Sequence, residues 1–236
     1  MLKRTSNLIS SLNYYIQKKF FKKNKNFLFN ILSEKMYFNY SINTSDIKFL
    51  LKKKDFKNTK NFFLRGDWDQ KKVSLQKYRE LNKNYNSVFQ IYEENKDYYD
   101  TDEYIEKLKI INEGKKTDRG QSSISELNKF FKQLDDLKNS LQLKGYLSQK
   151  DLGLQNLNDE IGVAIDRNGK IIKLEDKFGG THRFALCKIL KIKKIIVNVK
   201  AVHFEFLNNE NLVELLKNFE EKKLIDILKN KLKNSI

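Results

Sequence analysis

Five consecutive residues, Gly179, Gly180, Thr181, His182 and Arg183, combine the groups that an anion-binding site needs. Glycines let the backbone bend and approach a ligand closely, and a helix that begins here would direct unpaired N–H groups and the positive end of its dipole at the ligand. Thr181 offers a hydroxyl or a helix cap, Arg183 a fork of charged donors, and His182 could donate to an oxyanion or relay a proton. The alternative is an ordinary capped core helix with the arginine in solvent, and the spacing alone leaves both interpretations open.

Two carboxylates stand just upstream, on Glu175 and Asp176. They are the nearest groups that could hold a magnesium ion accompanying a nucleotide, because Mg²⁺ is commonly held by one or two carboxylates together with phosphates. The acidic run EENKDYYDTDEYIE, residues 93–106, is expected to be a solvated helix face and not a metal site, since its carboxylates scatter around a helix. The sequence therefore places the candidate metal ligands beside the two glycines.

The only tryptophan lies in a second candidate site, Gly66-Asp67-Trp68-Asp69. Two carboxylates that flank a flat aromatic ring could bind a metal or a hydroxyl while the ring stacks on a base or sugar. In the alternative, a turn buries Trp68 as a core anchor and the aspartates act as caps. Trp68 by itself favours the anchor, whereas the role of the aspartates stays open. His203, at the end of a predicted strand, is either a further site residue or a packing histidine.

Two strands and a helix must position the Gly-Gly segment. Residues 160–166 and 170–175 alternate around Asn168-Gly169, the dipeptide that a tight hairpin turn prefers. The apolar spacing after Thr181 predicts a helix, and the β-branched run KKIIVNVKAVHF, residues 193–204, predicts a further strand. The candidate anion site is thus expected at a strand-to-helix corner.

The region upstream of the hairpin is mainly helical in pattern. Ser123 and Glu126 have the form of a capping box, and Gly114 and Gly145 stand where helix ends are expected. Apolar residues recur there at helical spacing in residues 87–95, 101–114 and 123–146. The same spacing recurs downstream of the hairpin, in residues 209–234.

The composition of the 236 residues fits one ordinary domain, with 39% hydrophobic residues. A single cysteine, Cys187, excludes an intrachain disulfide and a multi-cysteine zinc site. No apolar run approaches the roughly 18 residues of a membrane-spanning helix. A cytoplasmic location is therefore expected.

The net charge is +17, which is typical of proteins with a polyanionic partner such as nucleic acid or an acidic membrane surface. The excess lies at the two ends, since residues 1–60 hold 14 basic and 3 acidic side chains, residues 61–160 hold 17 and 18, and residues 161–236 hold 16 and 9. An AT-rich coding sequence would also produce abundant lysine and no proline. The charge alone is accordingly weak support for nucleic-acid binding.

Residues 1–40 are predicted to be a basic N-terminal extension, in which lysines are mixed with aromatic residues. A helix packed on the main domain, or a partly ordered tail, is favoured over a basic amphipathic helix lying on a membrane surface, although that peripheral membrane contact stays open. Just beyond, Ser45 or Asp46 is predicted to cap a short helix within residues 41–56.

The order of elements and two motifs resemble the ParB/sulfiredoxin-like superfamily. LDDLKNSLQLKGYLSQ resembles the helix and glycine before the first strand of ParB N-terminal domains, and FGGTHRFALCKILKIKKIIVNVK resembles the Phe-Gly-Gly-Cys-His-Arg motif of sulfiredoxins. The likeness covers about residues 134–203. It implies an α+β fold with a small mixed sheet and packed helices, carrying a helical insert within residues 41–236 and an N-terminal helical extension.

The resemblance also implies nucleotide binding, because members of the superfamily bind CTP, ATP or ADP with the phosphates at this helix start. Gly180, Thr181, His182 and Arg183 would then contact phosphate, with Mg²⁺ accompanying CTP or ATP. Thr181 stands where sulfiredoxins have their cysteine, and a hydroxyl cannot replace the attacking thiolate. Cys187 lies six residues further on, at the apolar helix face. Sulfiredoxin activity is therefore not expected.

The sequence is also similar to ParB-like proteins found among cell-surface polysaccharide genes. The matching segments are RGDWDQ, GTHR and HFEF, in which Phe206 occupies a tryptophan position, and the likeness then extends over about residues 40–207. This second likeness implies a glycan or small-molecule pathway but no particular reaction. Combined with the nucleotide binding that the superfamily resemblance implies, it leads us to expect an NTPase or phosphotransferase that acts on a small-molecule or glycan-pathway substrate. The candidate base, relay or metal-binding side chains are Asp67, Asp69, Glu175, Asp176 and His182.

Two alternatives come from other classes of protein. A DNA-associated ParB-like factor would use the lysine-rich ends against phosphates, although no helix-turn-helix is recognisable after the ParB-like part. A noncatalytic module would bind a nucleotide and only sense it.

Overall fold

The fold is α+β, as expected from the sequence, and is built on one mixed sheet. The computed structural model describes residues 38–56, 62–154, 159–175 and 179–206, together with positions 226, 228–230, 232 and 233 near the C-terminus. Its strands are β1 (Phe38–Asn43), β2 (Phe49–Leu51), β3 (Phe63–Leu64), β4 (Val73–Ser74), β5 (Ile161–Ile165), β6 (Ile171–Leu174) and β7 (Lys194–His203). Its main helices are α1 (Leu75–Leu81), α2 (Lys83–Tyr92), α3 (Asp102–Asn112), α4 (Ile124–Lys144) and α5 (Thr181–Ile189).

The strand order is β1-β7-β5-β6-β2-β4, and β3 pairs with the far end of β7. The β1–β7, β5–β6 and β2–β4 pairs are antiparallel, whereas β5–β7, β2–β6 and β3–β7 are parallel. The long strand β7 therefore binds three others and organises one half of the sheet.

The sheet is packed on both faces. All five residues of the central strand β5 are buried, and alternate residues Ile161, Val163 and Ile165 join the larger core, which includes Phe184 and other residues of α2 and α5. The opposite face holds a smaller cluster around Trp68. A third cluster joins α3 to α4 and is built on Tyr104, Leu127, Phe131 and Leu134. The first and third of these clusters hold α4 and α5 in place.

The hairpin, the helix after it and the strand that follows are confirmed. β5 and β6 pair antiparallel around the Asn168-Gly169 turn, where Gly169 has a φ of +80°. The carboxylate of Asp166 accepts hydrogen bonds from the backbone N–H groups of Asn168 and Lys170, which tightens the turn. α5 and β7 then occupy the predicted positions.

The three predicted helices upstream of the hairpin are also confirmed, and the segment from α2 to α4, residues 83–144, is called the helical insert below. The hydroxyl of Ser123 accepts from the N–H of Glu126, as in a capping box. The carboxylate of Glu126 also accepts from the N–H and hydroxyl of Ser122. Gly145 ends α4, and Gly114 lies just beyond α3 with a φ of +72°.

The predicted short helix in residues 41–56 is wrong. This segment forms the second half of β1, the strand β2, and two single turns of 3-10 helix at Thr44–Asp46 and Lys53–Asp55. The sheet also begins inside the predicted extension, because Phe38 pairs with Val199. Residues 1–37 lie outside the described residues, as does most of the predicted C-terminal helix, whose described positions are helical. Within the described residues, no helix is both long enough and apolar enough to cross a membrane.

Candidate functional site

The segment Gly179–Arg183 lines a cleft of about 690 Å³ between the start of α5 and the helical insert. The insert contributes part of the wall, and the ends of two strands contribute carboxylates. The other lining residues include Asp118 and Arg119 from the loop before α4, Phe130 and Leu134 from α4, Asp159 before β5, and Glu175 after β6.

The two glycines are required by the backbone and by the close approach of β5. Gly179 and Gly180 have φ angles of +82° and +78°. A Cβ atom on Gly180 would lie 2.8 Å from Cγ1 of Ile161, which is closer than real contacts allow. Below the loop, the buried ammonium of Lys173 donates to the carbonyl of Gly179 at 3.1 Å and also to the carbonyl of Leu174. The loop is thus held to β6 through the carbonyl oxygen of Gly179.

The start of α5 has the properties of an anion site. Gly180 occupies the N-cap position, and no side chain among the described residues caps the helix. The N–H of Phe184 is bonded within the helix, to the carbonyl of Gly180 at 2.8 Å. Thr181 is only 4% exposed, and its hydroxyl oxygen is buried without a hydrogen-bond partner in the described part of the chain. A buried hydroxyl without a partner costs stability unless a ligand or water satisfies it.

His182 does not present a free ring nitrogen to the cleft. Its Nε2 lies 2.8 Å from a carboxylate oxygen of Glu103, and its Nδ1 lies 3.0 Å from Nη2 of Arg119. A guanidinium can only donate, so Nδ1 accepts and the ring proton is on Nε2, where it is donated to Glu103. The expected direct donation from His182 to a phosphate is therefore replaced by a contact with Arg119.

Glu103 is buried, which makes the expectation of a solvated acidic run wrong at this position. Its carboxylate accepts from the Ser87 hydroxyl at 2.6 Å and from His182, and Nζ of Lys107 lies 3.5 Å away. Burial alone would raise the pKa of Glu103, but His182, the hydroxyl and Lys107 hold it below its ordinary value. The remaining carboxylates of residues 93–106 are exposed, as expected.

Arg183 also has a different environment from the one expected. Its Nη1 donates to the backbone carbonyl of Asp159 at 3.1 Å and to the hydroxyl of Tyr146 at 3.4 Å, and lies 3.5 Å from the buried carboxylate of Glu160. Burial alone would lower the pKa of Arg183, but Tyr146 and Glu160 raise it. The arginine is therefore not free in solvent, and it joins α5 to the segment before β5.

The Gly66–Asp69 motif forms a separate cluster that does not line the cleft. Arg167, in the β5–β6 turn, donates to Asp67 and Asp69 at 2.8 Å each. Asp69 is buried, and although burial alone would raise its pKa, hydrogen bonds from Arg167 and the nearby His203 lower it. Trp68 is confirmed as a core anchor, with its ring 5.6 Å from that of His203.

His203 is also a packing residue. Its Nε2 lies 2.7 Å from the carbonyl of Gly66, and the parallel pairing of β3 with β7 brings the two together. The candidate residues thus fall into two groups in space. His182, Arg183, Thr181 and the glycines line the cleft with Glu175, whereas Asp67, Trp68, Asp69 and His203 hold the β5–β6 turn.

The remaining expectations concern metal ligands and the cysteine. Glu175 lines the cleft, and Asp176 lies outside the described residues. No group of three or more potential ligand side chains is found among the residues that the structure describes. Cys187 is fully buried and burial raises the pKa of its thiol to about 12, which confirms it as a small core residue.

The site residues that sequence reasoning missed are Glu103, Arg119, Phe130 and Asp159. One signal in the sequence could have indicated Arg119. The chain has only six arginines among 47 basic residues, and Arg79, Arg119, Arg167 and Arg183 all make specific contacts. Where lysine is the default cation, an arginine marks a position that needs the planar guanidinium.

We compared the chain with protein-family models, curated proteins and solved structures, and found no match to any of them. The cleft is consequently the feature from which a function is inferred.

Proposed function

We propose that the protein binds a nucleotide in the cleft, with its phosphates at the start of α5, and acts as an NTPase or phosphotransferase. The observation that carries the proposal is the uncapped helix start with the buried, unpartnered hydroxyl of Thr181 at a cleft of about 690 Å³. This volume lies within the roughly 300–1,000 Å³ of small-molecule sites. The resemblance of the sequence to ParB/sulfiredoxin-like proteins points to the same ligand class.

The donors at this end of the cleft suit a phosphate group. The first-turn N–H groups of α5 supply hydrogen bonds and the positive end of the helix dipole. The hydroxyl of Thr181 adds a further donor, and Arg119 adds a positive charge. Phosphoryl transfer depends mainly on positioning and charge neutralisation, so a site of this kind needs few reactive side chains.

Magnesium fits the cleft as a companion of the nucleotide and not as a resident of a protein cage. Mg²⁺ needs only one or two carboxylates when phosphates supply further oxygens. Glu175 and Asp159 both line the cleft and are the described residues that would hold the ion. The bound ion would neutralise charge that develops on the transferring phosphoryl group. The same two carboxylates replace Asp67 and Asp69 as candidate bases, because the latter pair does not line the cleft.

The proposed substrate is a small molecule or a glycan precursor, and the proposed compartment is the cytoplasm. Both follow from the sequence resemblance and from the single buried thiol, which needs no oxidising environment.

Calorimetry with CTP, ATP and ADP, each with magnesium, tests the proposal. The decisive variant is Thr181→Val, which removes the hydroxyl and keeps the shape. We expect affinity to fall about tenfold while stability stays the same or rises, because a buried unpaired hydroxyl is removed. Release of inorganic phosphate would then distinguish an NTPase from a module that only binds.

Thr44→Val is the matched control, because the hydroxyl of Thr44 donates to the carbonyl of Ile192 and does not line the cleft. It should lower the free energy of unfolding by about 1 kcal/mol and leave nucleotide affinity unchanged. Absence of heat with all three nucleotides would refute the proposal. Equal binding by wild type and Thr181→Val would place the phosphates elsewhere.

A further inference from the structure

Arg119 carries a positive charge that no carboxylate of the described residues neutralises. Its guanidinium has one hydrogen-bond partner there, Nδ1 of His182, and lies over the ring of Phe130 at 4.9 Å. By contrast, Arg79 is paired with Glu93 and Glu94. Arg167 and Arg183 are likewise paired with carboxylates.

The neighbouring carboxylate, Asp118, is paired with a different cation. Nζ of Lys107 lies 2.5 Å from the carboxylate of Asp118 and 3.5 Å from that of Glu103. Lys107 is buried in α3 and contacts both carboxylates with its one ammonium group. Asp118 and Glu103 therefore have Lys107 as their ion-pair partner, and Arg119 is a cation of the cleft wall without a carboxylate partner among the described residues.

A chain of contacts across three elements orients that cation. Glu103 in α3 accepts the Nε2 proton of His182 in α5, and the opposite nitrogen of the ring then accepts from Arg119. The ring of Phe130 in α4 packs at right angles to the imidazole, with centroids 5.4 Å apart, and lies under the guanidinium. A guanidinium bonded on one side and stacked on an aromatic ring loses less freedom when it binds an anion.

We propose that Arg119, supplied by the helical insert, is the side chain that binds the anionic group of the ligand, and that His182 is a positioning residue held by Glu103. The inference rests on the proposed function in that it assigns the contacts of the same cleft. It assigns to Arg119 the phosphate contact that the sequence resemblance gave to His182. The ligand class that it specifies is a phosphate or diphosphate ester reached from two sides, by α5 and by the insert.

The positioning role can be tested without any ligand. The chain has two histidines, so ¹⁵N spectra that report the protonation of ring nitrogens contain two ring systems, and the spectrum of His182→Gln identifies which belongs to His203. We expect an unprotonated Nδ1 and a protonated Nε2 on His182, and a shift of the Nδ1 resonance in Arg119→Met. A protonated Nδ1, or a resonance that ignores the arginine, would overturn the positioning role.

The binding role is tested by a double-mutant cycle with ATP and CTP plus magnesium, and with inorganic pyrophosphate. Arg119→Met should weaken binding at least about tenfold, because a charged hydrogen bond is lost. His182→Leu should weaken it by a smaller factor, and should have no further effect in the Arg119→Met background. We expect His182→Gln, whose amide can both donate and accept, to restore the affinity that His182→Leu loses. This recovery would separate the positioning role from simple packing. Additive effects would overturn the inference.

Arg79→Met is the matched control, because Arg79 also lies over a phenylalanine ring, that of Phe89 at 4.4 Å, but does not line the cleft. It should bind every probe as the wild type does. Nucleotide binding that survives Arg119→Met refutes this inference and leaves the proposed function standing. If the wild type binds pyrophosphate but no nucleotide, and Arg119→Met abolishes the pyrophosphate binding, the proposed function is refuted and this inference stands.

Discussion

Two separate constraints require glycine at position 180, and substitutions can distinguish them. Its φ of +78° disfavours any residue with a Cβ, and that Cβ would lie 2.8 Å from Ile161. Gly120 has a similar φ of +84°, but a Cβ there would meet no atom within 4 Å. Gly120→Ala therefore reports backbone strain alone, about 1–2 kcal/mol. Gly180→Ala should cost about 1–3 kcal/mol more, because β5 or α5 must shift.

Urea denaturation of the two variants measures the difference, since both are compared with the wild type under the same conditions. Equal losses of unfolding free energy would show that β5 does not constrain the loop. A larger loss in Gly180→Ala would explain why the segment before α5 contains two glycines in succession.

The sequence predicted the glycines, Thr181 and the helix start, because these signals are local. It did not predict what His182 contacts, because Glu103 and Arg119 lie 79 and 63 residues away in the chain. No spacing rule connects residues at such separations. A histidine next to glycine and arginine suggests an anion contact on local grounds, whereas the fold directs its ring toward the insert.

The cluster around Arg167 joins the segment between β3 and β4 to the β5–β6 turn, and its two aspartates are a natural pair of variants. Asp69 is 2% exposed and bonded to the backbone and side chain of Arg167. The side chain of Asp67 is 74% exposed and contacts the same guanidinium. Asp69→Asn should lower the free energy of unfolding by about 1–3 kcal/mol, because a charge-assisted bond in a buried site is lost. Asp67→Asn should change it by less than about 0.5 kcal/mol.

The pH dependence of the free energy of unfolding gives a second measurement of the contribution of Asp69. The pKa of Asp69 lies below its ordinary value in the folded protein, so the folded state favours the charged carboxylate. The corresponding stability is present above the unfolded pKa and is lost as pH falls through the folded pKa. Between about pH 5 and pH 2, the wild type should therefore lose more stability than Asp69→Asn. Parallel curves for the two proteins would contradict the assignment.

The elements that the sequence predicted well are those with their own local signals. The Asn168-Gly169 hairpin, α5 and β7 each combine a turn or cap with a clear period. The strands β2, β3 and β4 have only two or three residues and exist because they pair with distant partners, as Phe49 does with Ile172. Such short strands carry no period, which is why residues 41–56 were wrongly predicted to be helical.

The cleft is formed by elements that are distant from one another in the sequence and not by one local motif. α3 and α4 pack on each other through their own apolar cluster, and α4 also contacts α5. The insert therefore supplies Glu103 from α3, Phe130 from α4 and Arg119 from the loop between these two packed helices. This arrangement explains why the site depends on residues that precede the Gly-Gly segment by up to about 80 positions, as the 79-residue separation of Glu103 and His182 shows.

The net charge of +17 makes DNA binding the whole-molecule property that most needs a separate test. Within the described residues, Lys72, Lys107 and Arg167 are paired with carboxylates, so their charges are not available for phosphate. We expect any DNA affinity to fall steeply with salt, to be equal for all sequences and to be unchanged in Arg119→Met, because it would come from lysines outside the cleft. Fluorescence anisotropy over a salt series measures this. Binding that depends on sequence and persists at physiological salt would instead favour a DNA-associated function, since counterion release alone cannot distinguish one sequence from another.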